Sequence, residues 1–220
     1  PDTRLILVNA IYFNAPWLHP FDEHANSPEA FHALSGESAQ VDTLHKTEVL
    51  PYRETEYAQI VTIPYARGVY SMTVILPKER AGLRAIEERL SLPLLQEITG
   101  DMGRKRISLF LPKFRIESEF GLRETMQTLG VRQAFDPASA DFSGMNGKRD
   151  LSISEAVHKA FVDVSENGTE AAAATAVTMV RTSMPIADDP VEFRAVHPFL
   201  FLIHEEISGT VLFIGRFARP

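Results

Sequence analysis

If this chain performs chemistry, the first candidates are its seven histidines (His19, His24, His32, His45, His158, His197 and His204) and the serines and acids around them. Two imidazoles reach one metal ion from a single helix face when they stand four residues apart, as in HxxxH or HExxH. No pair has that spacing, so no metal site is expected and the histidines read as surface or core residues. A serine nucleophile of the hydrolase type needs a GxSxG turn that exposes its hydroxyl beside a base, and the sequence has none. "FSGMNGK" (residues 142–148) has glycines without the order that cradles a phosphate. The residues therefore point to no enzyme, no catalytic residue and no cofactor.

The bulk properties exclude further classes. The chain has 220 residues, 45% of them hydrophobic and 23% charged, which suits one globular domain with a sizeable core. A formal net charge of −7 argues against nucleic acid as a partner, since phosphate binding needs clustered Lys and Arg. The one basic cluster, "GRKR" (residues 103–106), reads as a solvated turn. No apolar run approaches the roughly 20 residues that span a bilayer, so no membrane partner is expected. Without cysteine there are no disulfides, and the compartment stays open, the outside of the cell being favoured over the cytoplasm. The chain begins at Pro1 with no Met or signal pattern, and this start is read as internal.

Strands dominate the pattern. "TRLILVNAIYF" (residues 3–13) is apolar enough for a central strand buried on both faces. "YAQIVTIPYARGVYSMTVILPK" (residues 57–78) reads as a hairpin around "ARG", with Gly68 available for a positive φ. Residues 106–114, 197–203 and 209–217 are further strands, the last two forming a hairpin across "HEEISG". Helical spacing is confined to residues 82–90 and 119–130, with Gly130 placed to end the second helix. The class is α+β with large mixed and antiparallel sheets and few helices, and no repeat or linker marks a second domain.

Among these elements one stretch has no ordinary reading. "VDVSENGTEAAAATAVTMVRTSMPIADDPVEF" (residues 162–193) lies between strands, yet most connections in a compact domain are only about 4–6 residues long. Taken as an extended chain, Thr169, Ala171, Ala173, Thr175, Val177 and Met179 form one face, small at first and more apolar later. Such a strand could slip between two others without steric penalty. An Ala-rich helix or a flexible tether competes with this reading, and composition alone favours the tether.

The flanking residues resemble the serpin family. "VHKAFVDVSENGTEAAAATA" (residues 157–176) is similar to that family's strand leading into the hinge of its reactive loop, and "HPFLFLIHEEISGTVLFIGRFARP" (residues 197–220) to its C-terminal signature. "LVNAIYFNAPWLHPFD" (residues 7–22), "LPKFRIES" (residues 111–118) and "LGVRQAFDPASADFSGM" (residues 129–145) extend the match in order along the chain. Members are longer, so the resemblance implies that residues 1–220 are the C-terminal portion of one serpin domain. The N-terminal part of that domain would then be absent, and residues 166–192 would be the exposed reactive-centre loop.

The resemblance also implies a function: a suicide-substrate inhibitor of serine proteinases, a monomer at full length, whose cleaved loop inserts into the main sheet and traps the acyl-enzyme. The hinge would comprise Glu166, Gly168, Thr169, Glu170, Ala171, Ala172, Ala173 and Ala174, with Thr169 the first side chain to turn inward. Glu166 would lie near Lys113, Trp17 would cap the point where insertion begins, and Asn9 and His158 would belong to a polar cluster behind the opening strands. Counting the family's usual loop length from Gly168 puts the cleaved bond between Thr182 and Ser183. A small residue there suits an elastase-like or subtilisin-like enzyme, and a register shorter by one makes Arg181 the anchor for a trypsin-like one. "FNAPW" departs from the Lys-Gly pair usual before the Trp, and Asn167 stands where a charged residue is common. The sequon Asn167-Gly168-Thr169 is read as chance, because a glycan there would obstruct insertion. The alternatives are a non-inhibitory serpin acting as a binding or chaperone protein, and a structural β domain with a tether.

Overall fold

The computed structural model describes residues 5–100, 102–169 and 189–220. Along the chain run β1 (Leu5–Tyr12), β2 (Ala15–Pro16), β3 (Ser27–His32), β4 (Ser38–Glu54), β5 (Ala58–Pro64), β6 (Tyr70–Pro77), α1 (Leu83–Glu87) and α2 (Leu92–Thr99). There follow β7 (Arg104–Pro112), β8 (Phe114–Gly121), α3 (Arg123–Thr128), α4 (Ser143–Asn146), β9 (Ile153–Val164), β10 (Gly168–Thr169), β11 (Val191–Arg194), β12 (Phe199–Glu205) and β13 (Val211–Phe217). The described residues fall into two compact units, one drawn from 5–13 and 115–162, the other from 14–114 and 163–220. Each unit combines segments distant in sequence, which is why no single linker betrays the division.

In the larger unit the strand order is β11-β7-β4-β5-β6-β12-β13, with β3 also paired to β4. The strands β5, β6 and β12 are continuous apolar runs because both faces are covered. Ile63, Val74, Leu202 and Ile203 are wholly buried. On one face α1 and α2 bring Leu83, Ile86 and Ile98 against Ile60, Ile75, Leu200 and Leu202. Elsewhere in this unit Phe31 and Phe114 pack on Phe217, with ring centroids 4.9 and 5.1 Å apart. The β5–β6 hairpin turns where the sequence places it, with Gly68 at φ 63° and Arg67 also left-handed at φ 70°. His204, expected as surface or core, is a core residue: its Nε2 lies 2.9 Å from the Thr73 hydroxyl, itself 2.7 Å from that of Thr62.

In the smaller unit β9 is flanked by β1 and β8. The β1–β9 pairing is parallel and runs from Leu5 opposite Ile153 to Tyr12 opposite Phe161. Phe135, Ile153 and Ala156 form its core, with Leu122 and Met126 of the adjoining helical segment packed against them.

Three expectations are corrected. The first strand is not buried on both faces: among the described residues β1 has one strand neighbour, and Val8 and Tyr12 are 63% and 57% exposed. An apolar run records what a strand needs covered, and these residues do not supply the cover. "GRKR" is not a turn, since Arg104 to Arg106 open β7. Their charges ride over β4, Arg104 donating to the Val49 carbonyl at 2.8 Å and Lys105 lying over the Tyr52 ring. The second helix is shorter than its pattern, because residues up to Gly121 continue β8; Gly130, at φ 100°, follows its end as expected.

Candidate functional site: the root of the long loop

The site is built where β9 ends. After Val164 the chain turns through Ser165, Glu166 and Asn167, and the turn is closed by the Ser165 N–H donating to the Gly168 carbonyl at 2.9 Å. Gly168 and Thr169 then form β10, which is antiparallel both to the end of β9, Thr169 opposite Val164, and to β2, Gly168 opposite Pro16 and Thr169 opposite Ala15. Gly168 and Thr169 are therefore already a strand between two others. Only glycine fits the first of them. Its φ is 148°, and a Cβ there would stand 2.2 Å from the Ala15 carbonyl oxygen.

Four side chains and several backbone groups hold this root. The Trp17 indole is buried, stacks on Tyr65 with centroids 4.4 Å apart, and donates its N–H to the Ser165 carbonyl at 2.9 Å. The Trp17 and Phe21 backbone N–H groups donate to the Asn167 and Glu166 carbonyls, each at 2.9 Å. One oxygen of the Glu166 carboxylate accepts from Lys113 Nζ at 2.8 Å and from the Asn26 amide at 2.6 Å, and Lys113 also pairs with Asp42 at 3.2 Å. Thr169 is fully buried, with its hydroxyl 2.6 Å from that of Tyr65.

The electrostatics follow from this geometry. Burial pushes the Glu166 carboxyl up, yet the hydrogen bond and charge of Lys113, a backbone hydrogen bond and the Asn26 amide together outweigh it and hold the carboxyl below its ordinary range. The same hydrogen bond holds the Lys113 ammonium up against the smaller effect of its own desolvation. Burial pushes the Tyr65 hydroxyl far up, so it stays neutral and serves only as a hydrogen-bonding group.

The structure thus gathers Trp17, Lys113, Glu166, Gly168 and Thr169 in one place. Asn9 and His158, in the other unit, stand opposite each other in the β1–β9 register, with the His158 ring 5.1 Å from Phe120. Glu170, Ala171 to Ala174, Arg181, Thr182 and Ser183 lie outside the described residues. Sequence reasoning missed Tyr65 and Asn26, which meet the root across 104 and 140 residues of chain. Among the described residues no group of three metal-ligating side chains occurs, and no helix is long and apolar enough to cross a membrane.

A two-residue strand of Gly168 and Thr169 seated between β9 and β2 is what this site presents. Residues 1–220 match the family model described as serpin (serine protease inhibitor), and the chain belongs to that family. It is 39% identical over 220 residues to a serpin-like protein of Thermococcus kodakarensis, covering all of this chain and 51% of that one. It is 36% identical to horse leukocyte elastase inhibitor, covering 99% of this chain and 59% of the relative. Among solved structures, Serpin48 of the insect Tenebrio molitor superposes with a TM-score of 0.83 at 36% identity, over 99% of this chain and 57% of that chain. The chain thus spans about half the length of the curated relatives it matches.

Proposed function

We propose that the protein containing this chain is a suicide-substrate inhibitor of serine proteinases. The observation that carries this reading is the seated β10, followed in sequence by Glu170 and then the run Ala171 to Ala176, which has no side chain larger than threonine. A proteinase that attacks the loop forms an acyl-enzyme, and cleavage frees the loop to continue β10 as a full strand. That strand would part β1 from β9 and pair with both. Each added backbone hydrogen bond contributes about 0.5–1.5 kcal/mol net, so a strand of several residues supplies a drive large enough to drag and distort the attached enzyme.

For the bond itself the reading is Thr182–Ser183, with a partner of small uncharged primary pocket, elastase-like or subtilisin-like; Arg181 is the alternative anchor for a trypsin-like enzyme. The likeness to a leukocyte elastase inhibitor supports the first. Incubating the intact protein with a panel of serine proteinases and running a denaturing gel tests the reading: a covalent complex is expected with at least one. Cleavage without complex across the panel would instead mark a non-inhibitory binding or chaperone protein. Mass spectrometry of the released C-terminal peptide fixes the register, a peptide starting at Ser183 being expected and one starting at Thr182 moving the anchor to Arg181.

A further inference from the structure

Tyr65 sits immediately after β5, where its backbone N–H donates to the Tyr70 carbonyl at 3.0 Å and it forms an antiparallel bridge with Trp17. Its ring lies 4.4 Å from the indole with planes 9° apart, and that indole is itself anchored on Ser165. The stack and the bridge place the Tyr65 hydroxyl beside the turn that launches the loop. Both Tyr65 and Thr169 have no exposed surface, so neither hydroxyl can exchange its partner for water. At 2.6 Å the two form a short hydrogen bond at the first inward position of the loop.

We infer that Tyr65 is a positioning residue for loop insertion: its hydroxyl holds Thr169 seated in the uncleaved protein, so that after cleavage the strand grows from a docked end. This rests on the inhibitor reading and deepens it. Growth from a docked residue adds one pair at a time, whereas an undocked loop must first close on the sheet and lose chain entropy before any pair forms. Insertion competes with hydrolysis of the acyl-enzyme, so the seat governs the fraction of encounters that end in a trapped complex. The reactive bond lies well along the chain from Thr169, so initial recognition of the proteinase is untouched.

The test uses Tyr65→Phe, which keeps the ring stack, Thr169→Val, which keeps the branched shape, and the double variant, all in the intact protein. Each single change removes the hydrogen bond between the two hydroxyls, and insertion is expected to slow about tenfold, equivalent to about 1.4 kcal/mol. The stoichiometry of inhibition should rise several-fold while the rate of initial encounter stays unchanged. The double variant lacks the same single hydrogen bond and should lose no more than the worse of the two single variants, whereas independent structural roles would add. Hydrogen exchange at the Thr169 amide in the uncleaved protein gives a readout independent of inhibition: protected in wild type, faster in either single variant. Unchanged stoichiometry and unchanged exchange in Tyr65→Phe, or additive losses in the double variant, overturn the inference. If wild type traps no proteinase, the functional reading falls, and the Thr169 exchange rates still decide for or against the seat.

Discussion

Thr169 shows how little room a single side chain has at this site. It is fully buried before any cleavage, so Thr169→Arg would bury an unpaired guanidinium both in the seat and in the inserted strand. The variant is expected to be cut as a substrate, with little or no covalent complex on a denaturing gel; complex at wild-type stoichiometry would refute the inserting-strand reading. Glu166 and Lys113 give a pH signature with a definite sign. A carboxyl held below its ordinary range contributes stability that is present above its unfolded pKa, about 4.3, and is lost as pH falls through the lower folded value. Lys113→Met removes the cation and leaves Glu166 buried, so its carboxyl should now titrate above the ordinary range. The variant should melt below wild type at pH 7, by an amount worth about 1–2 kcal/mol because Lys113 is partly exposed, and the gap should narrow toward pH 4. Melting curves across that range check it, and a gap independent of pH would remove the carboxylate from the account.

Legibility in the sequence varied from element to element for physical reasons. β5, β6, β7, β12 and β13 were readable because apolar or alternating runs state their burial directly. The 17-residue β4 was not, because it serves β3, β7 and β5 in turn and its buried positions follow no single period. The helix α2 escaped although Ser91 caps it, accepting from the Leu94 N–H at 3.4 Å, since eight residues with a proline near the start leave little periodicity to read. At the site, Trp17, Lys113 and Glu166 were reachable through family resemblance, whereas nothing local to Tyr65 or Asn26 announces a partner more than 100 residues away. The short β11 also depends on one residue. The Arg194 guanidinium lies 3.6 Å from the Phe110 ring centroid and pairs with Glu192 and Glu29, and His45 stacks on the same ring at 4.2 Å. Arg194→Ala should cost roughly 1 kcal/mol, a melting shift of about 2–4 °C, and speed amide exchange in residues 191–194. Exchange unchanged there would mean that backbone pairing with β7 alone holds the strand.

At the scale of the whole molecule the decisive quantity is the stability released when the loop is cut. If the freed loop adds a strand of about ten residues, backbone pairing alone implies a gain on the order of 10 kcal/mol and a melting temperature higher by at least ~20 °C. Cutting the intact protein on the C-terminal side of Met179 and scanning before and after tests this; superimposable curves would mark a loop that does not insert. The β1–β9 pairing adds a consequence of another kind. These eight residue pairs are parallel, whereas β10 is antiparallel to both of its neighbours. An inserted loop would thus erase a ladder of slanted, evenly spaced hydrogen bonds and create two ladders of perpendicular, alternately spaced ones. The conversion should therefore be audible in the vibrations of the peptide carbonyls: the amide I band of the cut protein should acquire the split pattern of antiparallel strands at the expense of parallel intensity, so infrared spectroscopy can time the insertion without any label on the loop.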